Sequence, residues 1–571
     1  MNETESREEA SLPAPGQASG RRHLMRASAL MASGSIVSRL LGFVRMFVLG
    51  MVFAGSGTIS ATAFSAANLL PNSIWLLVGG GTLNAILVPA IVRAATRPDR
   101  GSDYISRLMT LVVLCSTVLT VVCMLLVPVL LTITNGSLPP STFAFAVQLG
   151  YWMMPQIIFS ALYVMAGQLL NAYDSFGPYQ WAPVMNNLVG ILGGLLFLLF
   201  WGKEPNPAHW TIGMVMMLAA LNVGGSVAQV VFLAFYVRKL KLRLRPRWGF
   251  RGLGLGKLSK IGGWTLAMLG LAQAGIWASR WSTGRARDAA EHFSHAGRPD
   301  LAAQYPSLLA MDWTYAVFMI PQGIIAVTLV TAAFPTISRH AADGDHVGAL
   351  KRYTDTTRLL AVPMMLCTAV FIVLSGPVMH VIVGGGSPIG ARANGWVLIG
   401  YMLGLLPFSL SYLLKRVFYA YEDARTPFLM QIPASAVSLI AAAPILMSVD
   451  PRWATATAAA VSSLGYLFSW LLGLAFLRRL QNRLGAQTGK GPGTVGVIAR
   501  LSVASGLAIV VGALLLGVCG DLMWVNRVLT VLLGCVIGAA MSAVFVVVAW
   551  LLRVEELQML MRFVRRRRSS V

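Results

Sequence analysis

Charge is scarce in this sequence. Asp, Glu, Lys and Arg together make up 12% of its 571 residues, against about 25% in an ordinary soluble chain. Acidic residues are the scarcest, with 21 Asp and Glu against 45 Lys and Arg. The five cysteines all fall in apolar stretches and in no metal-like spacing, which excludes a disulfide framework and a cysteine-based metal site. With a mean hydropathy of +0.69, the chain is predicted to be a polytopic membrane protein.

Long apolar stretches fill the sequence, and each is long enough to cross a hydrocarbon core of ~30 Å as a helix. They predict an all-α membrane protein with 14 transmembrane helices. The expected spans are 28–54, 61–94, 106–133, 143–172, 179–202, 210–237, 255–282, 306–337, 353–384, 394–421, 427–449, 453–477, 498–519 and 525–553.

The positive charges are unevenly distributed along the chain. Lys and Arg concentrate at the termini and in the even-numbered loops, most strongly in 238–260 and in 562–570. By the positive-inside rule we expect a multi-pass membrane protein with both termini in the cytoplasm and the odd-numbered loops outside. The basic segments then favour anionic membrane lipids, and not nucleic acid, as partners.

The chain contains an internal repeat with an offset near 248 residues. "LPNSIWLLVGGGTLNAILVPAIVR" (70–93) corresponds to "IPQGIIAVTLVTAAFPTISR" (320–339), and "LLNAYDSFGPYQWAP" (169–183) to "VFYAYEDARTPFLMQIP" (417–433). Six helices separate equivalent points, so the repeats are parallel and predict two six-helix lobes, an arrangement typical of transporters. The expected units are a disordered cytoplasmic tail (1–27), the N-terminal lobe (28–240), a basic cytoplasmic linker (241–254), the C-terminal lobe (255–480), a cytoplasmic linker (481–497), helices 13 and 14 (498–553) and a basic cytoplasmic tail (554–571).

Helix-breaking residues recur inside the equivalent spans 2 and 8. A proline inside a helix removes a backbone donor, and the freed carbonyl must face protein or a wet cavity. We expect the kinks either to serve a gate or to be static features of packing. The residues concerned are Pro71, Gly79, Gly80, Pro321 and Pro335.

Two arginines lie within the first span, in "SGSIVSRLLGFVRMFVLG" (33–50). Arg39 and Arg45 are six residues apart, which on a helix separates them by about 9 Å in height and about 120° around the axis. Charged side chains at membrane depth usually face a polar interior, and the guanidinium fork suits phosphate oxygens. The pair therefore predicts an anionic, phosphate-bearing cargo, whereas snorkelling to an interface is the alternative for each arginine.

Acidic residues within the spans are few. Asp312 is predicted either to pair with a cavity arginine or to bind a coupling cation, with a position near the outer interface as the alternative. Asp423 is expected in a solvated charge cluster, with ion binding as the minor alternative.

Signals for catalysis or for a metal site are weak. "GLGLGKLSK" (252–260) lacks the spacing of a phosphate loop, and His292 and His295 have no further ligands at a fixed spacing. We therefore expect no enzyme, no metal and no cofactor. Transport would draw on the membrane potential, on a monovalent cation or on the gradient of the cargo.

The motifs together resemble those of the MurJ (MviN) family of lipid II flippases, in the multidrug/oligosaccharidyl-lipid/polysaccharide exporter superfamily. The likeness covers roughly residues 30–550 and rests on "SRLLGFVR", "LPN", "LLNAYDSFGPYQWAPVMNN", "IPQGIIAVTLVTAAFPTIS" and "FYAYEDARTP". It implies translocation of lipid II from the inner to the outer leaflet of the bacterial cell (plasma) membrane by alternating access, for peptidoglycan synthesis, cell-wall building and cell shape. Another exporter of the superfamily, for a polysaccharide lipid or a drug, is the alternative. The implied partners are lipid II and the cell-wall synthesis machinery.

The resemblance also implies roles for individual residues. The span-1 arginines match cationic positions that hold the diphosphate, and spans 13 and 14 are implied to form a groove for the lipid tail with span 1. The other motif positions carried over are Ser38, Gly42, Pro71 and Asn72.

The chain departs from the family pattern at three positions that are usually charged. Thr62, Trp75 and Ala316 stand there instead, so the cavity is expected to be less cationic, with Arg280 as the candidate to compensate.

Overall fold

The structure is a computed structural model that describes residues 15–78, 91, 94, 99, 101–173, 175–249, 259–383, 386–485 and 493–557. All regular secondary structure in these ranges is helical. The helices are α1 Pro15–Val52, α2 Ile59–Val78, α3 Ser102–Leu125, α4 Val127–Asn135, α5 Pro140–Met153, α6 Gln156–Ala172, α7 Phe176–Trp201, α8 Ile212–Lys239, α9 Ser259–Trp281, α10 Gly284–His295, α11 Pro299–Ala302, α12 Leu308–Pro321, α13 Val327–Ala342, α14 His346–Val373, α15 Ser375–Ile382, α16 Pro388–Met402, α17 Leu405–Ala420, α18 Arg425–Ser448, α19 Pro451–Leu484, α20 Thr494–Cys519, α21 Leu522–Val525 and α22 Arg527–Leu551, with a π-helical turn at Gln322–Ala326 and a short 3₁₀ turn at Pro207–His209.

The all-helical membrane fold is confirmed, but the count of 14 spans is not reached. Eleven helical segments in the described ranges are long and apolar enough to cross a membrane, and the pair α5 and α6, bent by 41° at its junction, makes a twelfth. The two remaining expected spans coincide with α2 and α9. Residues 79–90 lie outside the described residues, and α9 carries polar side chains that are buried inside the protein, among them Gln273, Ser279 and Arg280. The total of 14 therefore stays a prediction.

Residues 15–27, which were predicted to be disordered, are helical, because α1 already begins at Pro15. Proline is well tolerated in the first turn of a helix, and the Arg, Ala, Leu and Met residues that follow favour helix. Residues 1–14 lie outside the described residues.

The helices assemble into two lobes and a C-terminal pair. Helix α1 packs on α7, which packs on α8, and in the second half α19 packs on α18, which packs on α9. The pair α20 and α22 packs on α14 through a separate apolar cluster that includes Val373, Leu501 and Met541. The first lobe thus comprises α1–α8 and the second α9–α19.

The repeat is visible in the contacts between the lobes. Helices α2 and α12, which lie at equivalent places in the two halves, pack against each other. The hydroxyl of Ser65 donates to Asp312, 247 positions away, and that of Ser307 donates to the carbonyl of Ser56, 251 positions away. Contacts between equivalent positions are expected where a pseudo-twofold axis passes between two repeats, which supports the predicted symmetry.

The two ends of the bundle differ in their loops. Residues 53–58, 136–139 and 282–307 meet at one end, which we call the outer end after the charge-based expectation. At the other, inner end the basic linker runs extended along α3, where the backbone N–H of Arg245 donates to Ser106 Oγ (3.2 Å) and that of Arg247 to Thr110 Oγ1 (3.0 Å).

Candidate functional site

A polar cavity of about 450 Å³ lies between the two lobes. Helices α1, α2, α7 and α8 form most of its wall, and α12 closes it from the second lobe. Among the described residues, its charged lining residues are Arg45 and Asp312. Six carboxamide side chains line it as well: Asn68, Asn72, Gln156, Asn186, Asn187 and Asn222. We call this space the central cavity.

Arg45 is held in the central cavity by neutral groups of its own lobe. Its Nη1 donates to Asn186 Oδ1 (3.3 Å) and its Nη2 to Asn222 Oδ1 (2.5 Å). The guanidinium lies against Gly190, where an added Cβ would come within 2.6 Å of Nε, so a glycine is needed for this position of the side chain. None of the ion pairs in the described part of the chain involves Arg45, and its charge is therefore available to a ligand.

Arg39 is placed differently from Arg45, and the structure does not bring the two into one cavity. Its guanidinium crosses to the second lobe and lies against Gly323, where an added Cβ would come within 2.3 Å of both terminal nitrogens. Because α1 runs towards the outer end, Arg39 lies about 9 Å nearer the inner end than Arg45. Arg39 therefore contacts the lobe interface on the inner side of the cavity.

The other predicted positions of the first lobe lie close to the cavity. Asn187 Nδ2 donates to the carbonyl (2.7 Å) and the hydroxyl (3.3 Å) of Ser38, which ties α1 to α7. Asn72 lies on the cavity wall, and its side chain donates to Asn68 O (2.9 Å). Gly42 also lines the cavity, on the helix that carries Arg45.

Asp312 pairs with Arg280, which is one of the two outcomes predicted for it. Arg280 is 1% exposed. Its Nη1 contacts Asp312 Oδ1 (2.7 Å), its Nη2 donates to Ser65 Oγ (2.9 Å), and its Nε donates to Asn135 Oδ1 (2.8 Å). Ser65 in turn donates to Asp312. Since Ser65 and Asn135 belong to the first lobe, the cluster joins the two lobes; we call these four residues the outer lock.

More interlobe contacts surround the outer lock at the outer end. Arg287 on α10 donates to the carbonyls of Asn135 (2.9 Å) and Ser137 (3.0 Å), and Trp281 Nε1 donates to Ile133 O (2.8 Å). Burial, and then the charge of Arg280, lowers the pKa of Arg287 to about 9, so this guanidinium stays protonated at neutral pH. The outer end is closed by hydrogen bonds from both lobes.

The predicted kinks differ in form. Pro71 and Pro335 lie inside regular helices, α2 and α13. Pro321 ends α12 and is followed by the π-helical turn, whose Gln322 is buried and accepts a hydrogen bond from Ser409 Oγ (2.5 Å). Such turns are frequent at functional sites, and this one places Gly323 under Arg39. Gly79 and Gly80 lie outside the described residues.

Asp423 makes local hydrogen bonds at the start of α18. Its Oδ1 accepts from the backbone N–H groups of Arg425 and Thr426, both at 2.9 Å, and its Oδ2 accepts from Thr426 Oγ1 (2.5 Å). These contacts are those of a residue that caps a helix N-terminus.

Uncharged residues stand at the three positions where the family pattern usually has a charge. Thr62 is buried and donates to Thr58 O (3.0 Å), and Trp75 packs on an apolar cluster of the first lobe. Ala316 follows Tyr315, a residue of the cavity wall. The sequence analysis predicted Asn72 but not the carboxamide wall as a whole. Four of its amides lie in apolar spans 5 and 6 and in the span-2 motif, and they could have indicated it.

Comparisons with known proteins agree with the fold and with the central cavity. The family model described as "Lipid II flippase MurJ" matches residues 53–533. Proteins described as "Probable lipid II flippase MurJ" are similar in sequence: one from Synechocystis sp. is 26% identical over 417 residues, covering 71% of this chain and 73% of its own, and one from Vibrio cholerae is 24% identical over 425 residues, covering 71% and 74%.

Solved structures share the fold. A structure described as "Lipid II flippase MurJ, inward closed conformation" matches with a TM-score of 0.66 at 16% identity, covering 90% of this chain and 98% of its own. An inward-facing multidrug resistance MATE family transporter of the MOP superfamily matches with a TM-score of 0.60 at 12% identity, covering 78% and 95%. Since the family model matches most of the sequence, this chain belongs to the lipid II flippase MurJ family.

Proposed function

We propose that this protein translocates lipid II, the undecaprenyl-diphosphate-linked peptidoglycan precursor, from the inner to the outer leaflet of the bacterial cell membrane. The observation that carries the proposal is Arg45, a cation of the central cavity that Asn186 and Asn222 hold and that pairs with no carboxylate of the described residues. Leaving a charge uncompensated at membrane depth is unfavourable, and such residues mark substrate pathways. A diphosphate supplies the missing negative charge, and its oxygens match the guanidinium fork.

The carboxamide wall suits the rest of the cargo headgroup. Each Asn or Gln side chain offers both a donor and an acceptor, so it can bind sugar hydroxyls and peptide groups alike. Asn72 and Gln156 lie on this wall in addition to the two partners of Arg45. A neutral amide wall around an arginine is therefore matched to a large headgroup, rich in hydroxyls and peptide groups, attached to a diphosphate.

The outer lock supports transport by alternating access. In this structure the outer end is closed by Arg280, Asp312 and their first-lobe partners, and cargo enters from the inner side. Release on the outer side requires the lobes to separate there, which breaks the contacts of Ser65 and Asn135 with the second lobe. Two packed lobes of this kind move as bodies around a fixed site.

The C-terminal pair supports a path for the lipid tail beside α1. Arg527, at the start of α22, lies over the ring of Phe47 on α1, 5.3 Å from its centre. Helix α1 exposes Ile36, Leu40 and Val44, which recur every four residues and so form one apolar stripe. A polyprenyl chain is the occupant that such a stripe would take while the diphosphate lies at Arg45.

The remaining parts of the proposal follow from the charge pattern and the family. Both termini lie in the cytoplasm, the basic segments contact anionic lipids, and the protein acts as a transporter that makes and breaks no covalent bond. The membrane potential or a monovalent cation drives the cycle, without a cofactor. The cell-wall synthesis machinery receives the product on the outer side.

The test is depletion of the protein in a strain that carries no other flippase for this lipid, with lipid II labelled separately in each leaflet. We expect externally accessible lipid II to fall and inner-leaflet lipid II to accumulate, and the native gene to restore both. Persistence of externally accessible lipid II after depletion would exclude the function. Loss of export of another polyprenyl-diphosphate glycan, with lipid II unchanged, would instead identify a related exporter.

A further inference from the structure

A second cavity, of about 260 Å³, lies inside the second lobe and has no role in the proposed path of the cargo. Helices α9, α12, α16, α17, α18 and α19 surround it, so its walls belong to one lobe. Asp312 and Tyr315 line both this cavity and the central one. The two spaces are thus separated by a single layer of side chains.

Lys415 is the feature of this cavity that packing does not explain. It lies on α17, and its ammonium donates to Gln431 Oε1 at 3.0 Å. None of the ion pairs in the described part of the chain includes it. An ammonium group has three N–H donors, so this hydrogen bond leaves two of them for the cavity.

Further donors face the same space from three helices. The hydroxyls of Ser411 and Ser469 are 3.1 Å apart, so one donates to the other and the second keeps a free hydrogen. The carboxamide of Gln431 donates to Ser435 Oγ at 3.5 Å, which leaves its second N–H and the Ser435 hydroxyl hydrogen. Ser411 lies one turn before Lys415 on the same helix. Beyond its acceptor Gln431 Oε1, the ammonium thus has hydroxyl and amide donors around it, and it pairs with no carboxylate of the described residues.

The charge balance of the cavity is positive. Asp312 is the one acidic residue among the described residues that line it, and that carboxylate is already paired with Arg280. The ammonium of Lys415 remains as an excess positive charge at membrane depth, which is unfavourable unless a negative charge joins it or its proton leaves. Loss of the proton would leave the surrounding donors facing an empty space, whereas an anion would accept hydrogen bonds from them.

We propose that the cavity of the second lobe binds a small monovalent inorganic anion, of the size of chloride, on the ammonium of Lys415, with Gln431, Ser411 and Ser469 as hydrogen-bond donors. The cavity is enclosed within one lobe and is too small for a disaccharide-peptide headgroup. Two residues of the outer lock, Arg280 and Asp312, line the same cavity. The anion therefore completes the charge of the lobe that carries Asp312 and Arg280.

The test is thermal unfolding of the full chain in detergent, with sodium chloride titrated against sodium gluconate at constant ionic strength. We expect the melting temperature to rise with chloride and to saturate, and Lys415→Gln to raise the half-saturating chloride concentration at least tenfold. Arg416→Gln is the matched control. It removes the cation at the next position of the same helix. The guanidinium of Arg416 lies over the rings of Tyr412 and Phe334, and its removal should leave the chloride response of the melting temperature unchanged.

A second variant keeps the proposal testable if Lys415→Gln does not fold. Ser469→Ala keeps the ammonium and removes one donor, and we expect a threefold to tenfold weaker chloride response. The proposal would be overturned if the native protein showed no chloride response or if Lys415→Gln kept it. It would also be overturned if the native protein were stabilised at high pH independently of chloride and Lys415→Gln abolished that stabilisation. The readout involves no transport, so its failure is distinguishable from failure of the proposed function.

Discussion

Arg45 and Arg280 are both placed at membrane depth near the lobe interface, yet their surroundings differ in charge. Arg280 is almost fully buried, and Asp312 neutralises it directly. The hydrogen-bond partners of Arg45 among the described residues are amide oxygens, and those come from its own lobe. The partners of Arg280 come from both lobes and join them.

The difference separates a structural cation from a binding one. An arginine whose charge is matched within the protein contributes to a closed interface, and removal of its partner leaves a buried charge. An arginine held by neutral groups keeps an unpaired positive charge, which can attract an anionic ligand that is not part of the chain. By the same criterion, a positive charge held by neutral groups, Lys415 in the second lobe is a binding cation.

The largest expected effect comes from Asp312→Asn. The substitution leaves Arg280 buried without a counter-charge, and breaking such a pair costs about 3–5 kcal/mol of stability. We expect a markedly lower melting temperature and greater reactivity of an engineered cysteine at Ser56, where the outer end is closed. The double variant Arg280→Met with Asp312→Leu should recover more than half of the lost stability; if it is as unstable as the single variant, the charge pair is not the cause.

Arg45→Gln is expected to have the next largest effect, but on transport and not on stability. A hydrogen bond to a charged group contributes about 1.5–3 kcal/mol, so lipid II translocation should fall about 10-fold to 100-fold. The melting temperature should stay close to the native value because no carboxylate loses its partner. Arg45→Lys keeps the charge and loses the fork, and should be intermediate. Equal loss of stability in Arg45→Gln and Asp312→Asn would remove the distinction between the two arginines.

Ser65→Ala weakens the outer lock without changing its charge. The hydroxyl accepts from Arg280 and donates to Asp312, and a hydrogen bond of this kind contributes about 0.5–1.5 kcal/mol net. We expect a small loss of stability and a shift of the lobes towards outward opening, measured as faster labelling of a cysteine at the outer end. Ser60→Ala, whose hydroxyl donates to Pro205 O within the first lobe, is the matched control and should leave the labelling rate unchanged.

The sequence was sufficient for the all-helical membrane fold and for the order of most of its helices, because apolar length is a local property of the sequence. The role predicted for span 1 stays a prediction. The sequence was insufficient for the separation of Arg39 from Arg45. Their angular offset of about 120° was predicted, but which of them meets the second lobe depends on how α1 packs beside the π-helical turn. The first-lobe partners of Arg280 were likewise beyond reach, since Ser65 and Asn135 are brought to it only by the contact between lobes.

The smallest effect is expected from Gly323→Ala. It tests whether Arg39 acts as a binding cation, like Arg45, or as a structural cation, like Arg280. An added Cβ would lie 2.3 Å from both terminal nitrogens of Arg39, so the guanidinium must move off the second lobe. If that contact helps the inner side to close behind the cargo, translocation should fall about threefold, which corresponds to about 0.6 kcal/mol, with little change in melting temperature. Gly506→Ala, at a helix position where a Cβ meets nothing within 4 Å, is the control. The loss should not increase further when Arg39→Ala is combined with Gly323→Ala, because both changes remove one contact; additive losses would show that Arg39 acts on the cargo independently of Gly323 and so resembles Arg45.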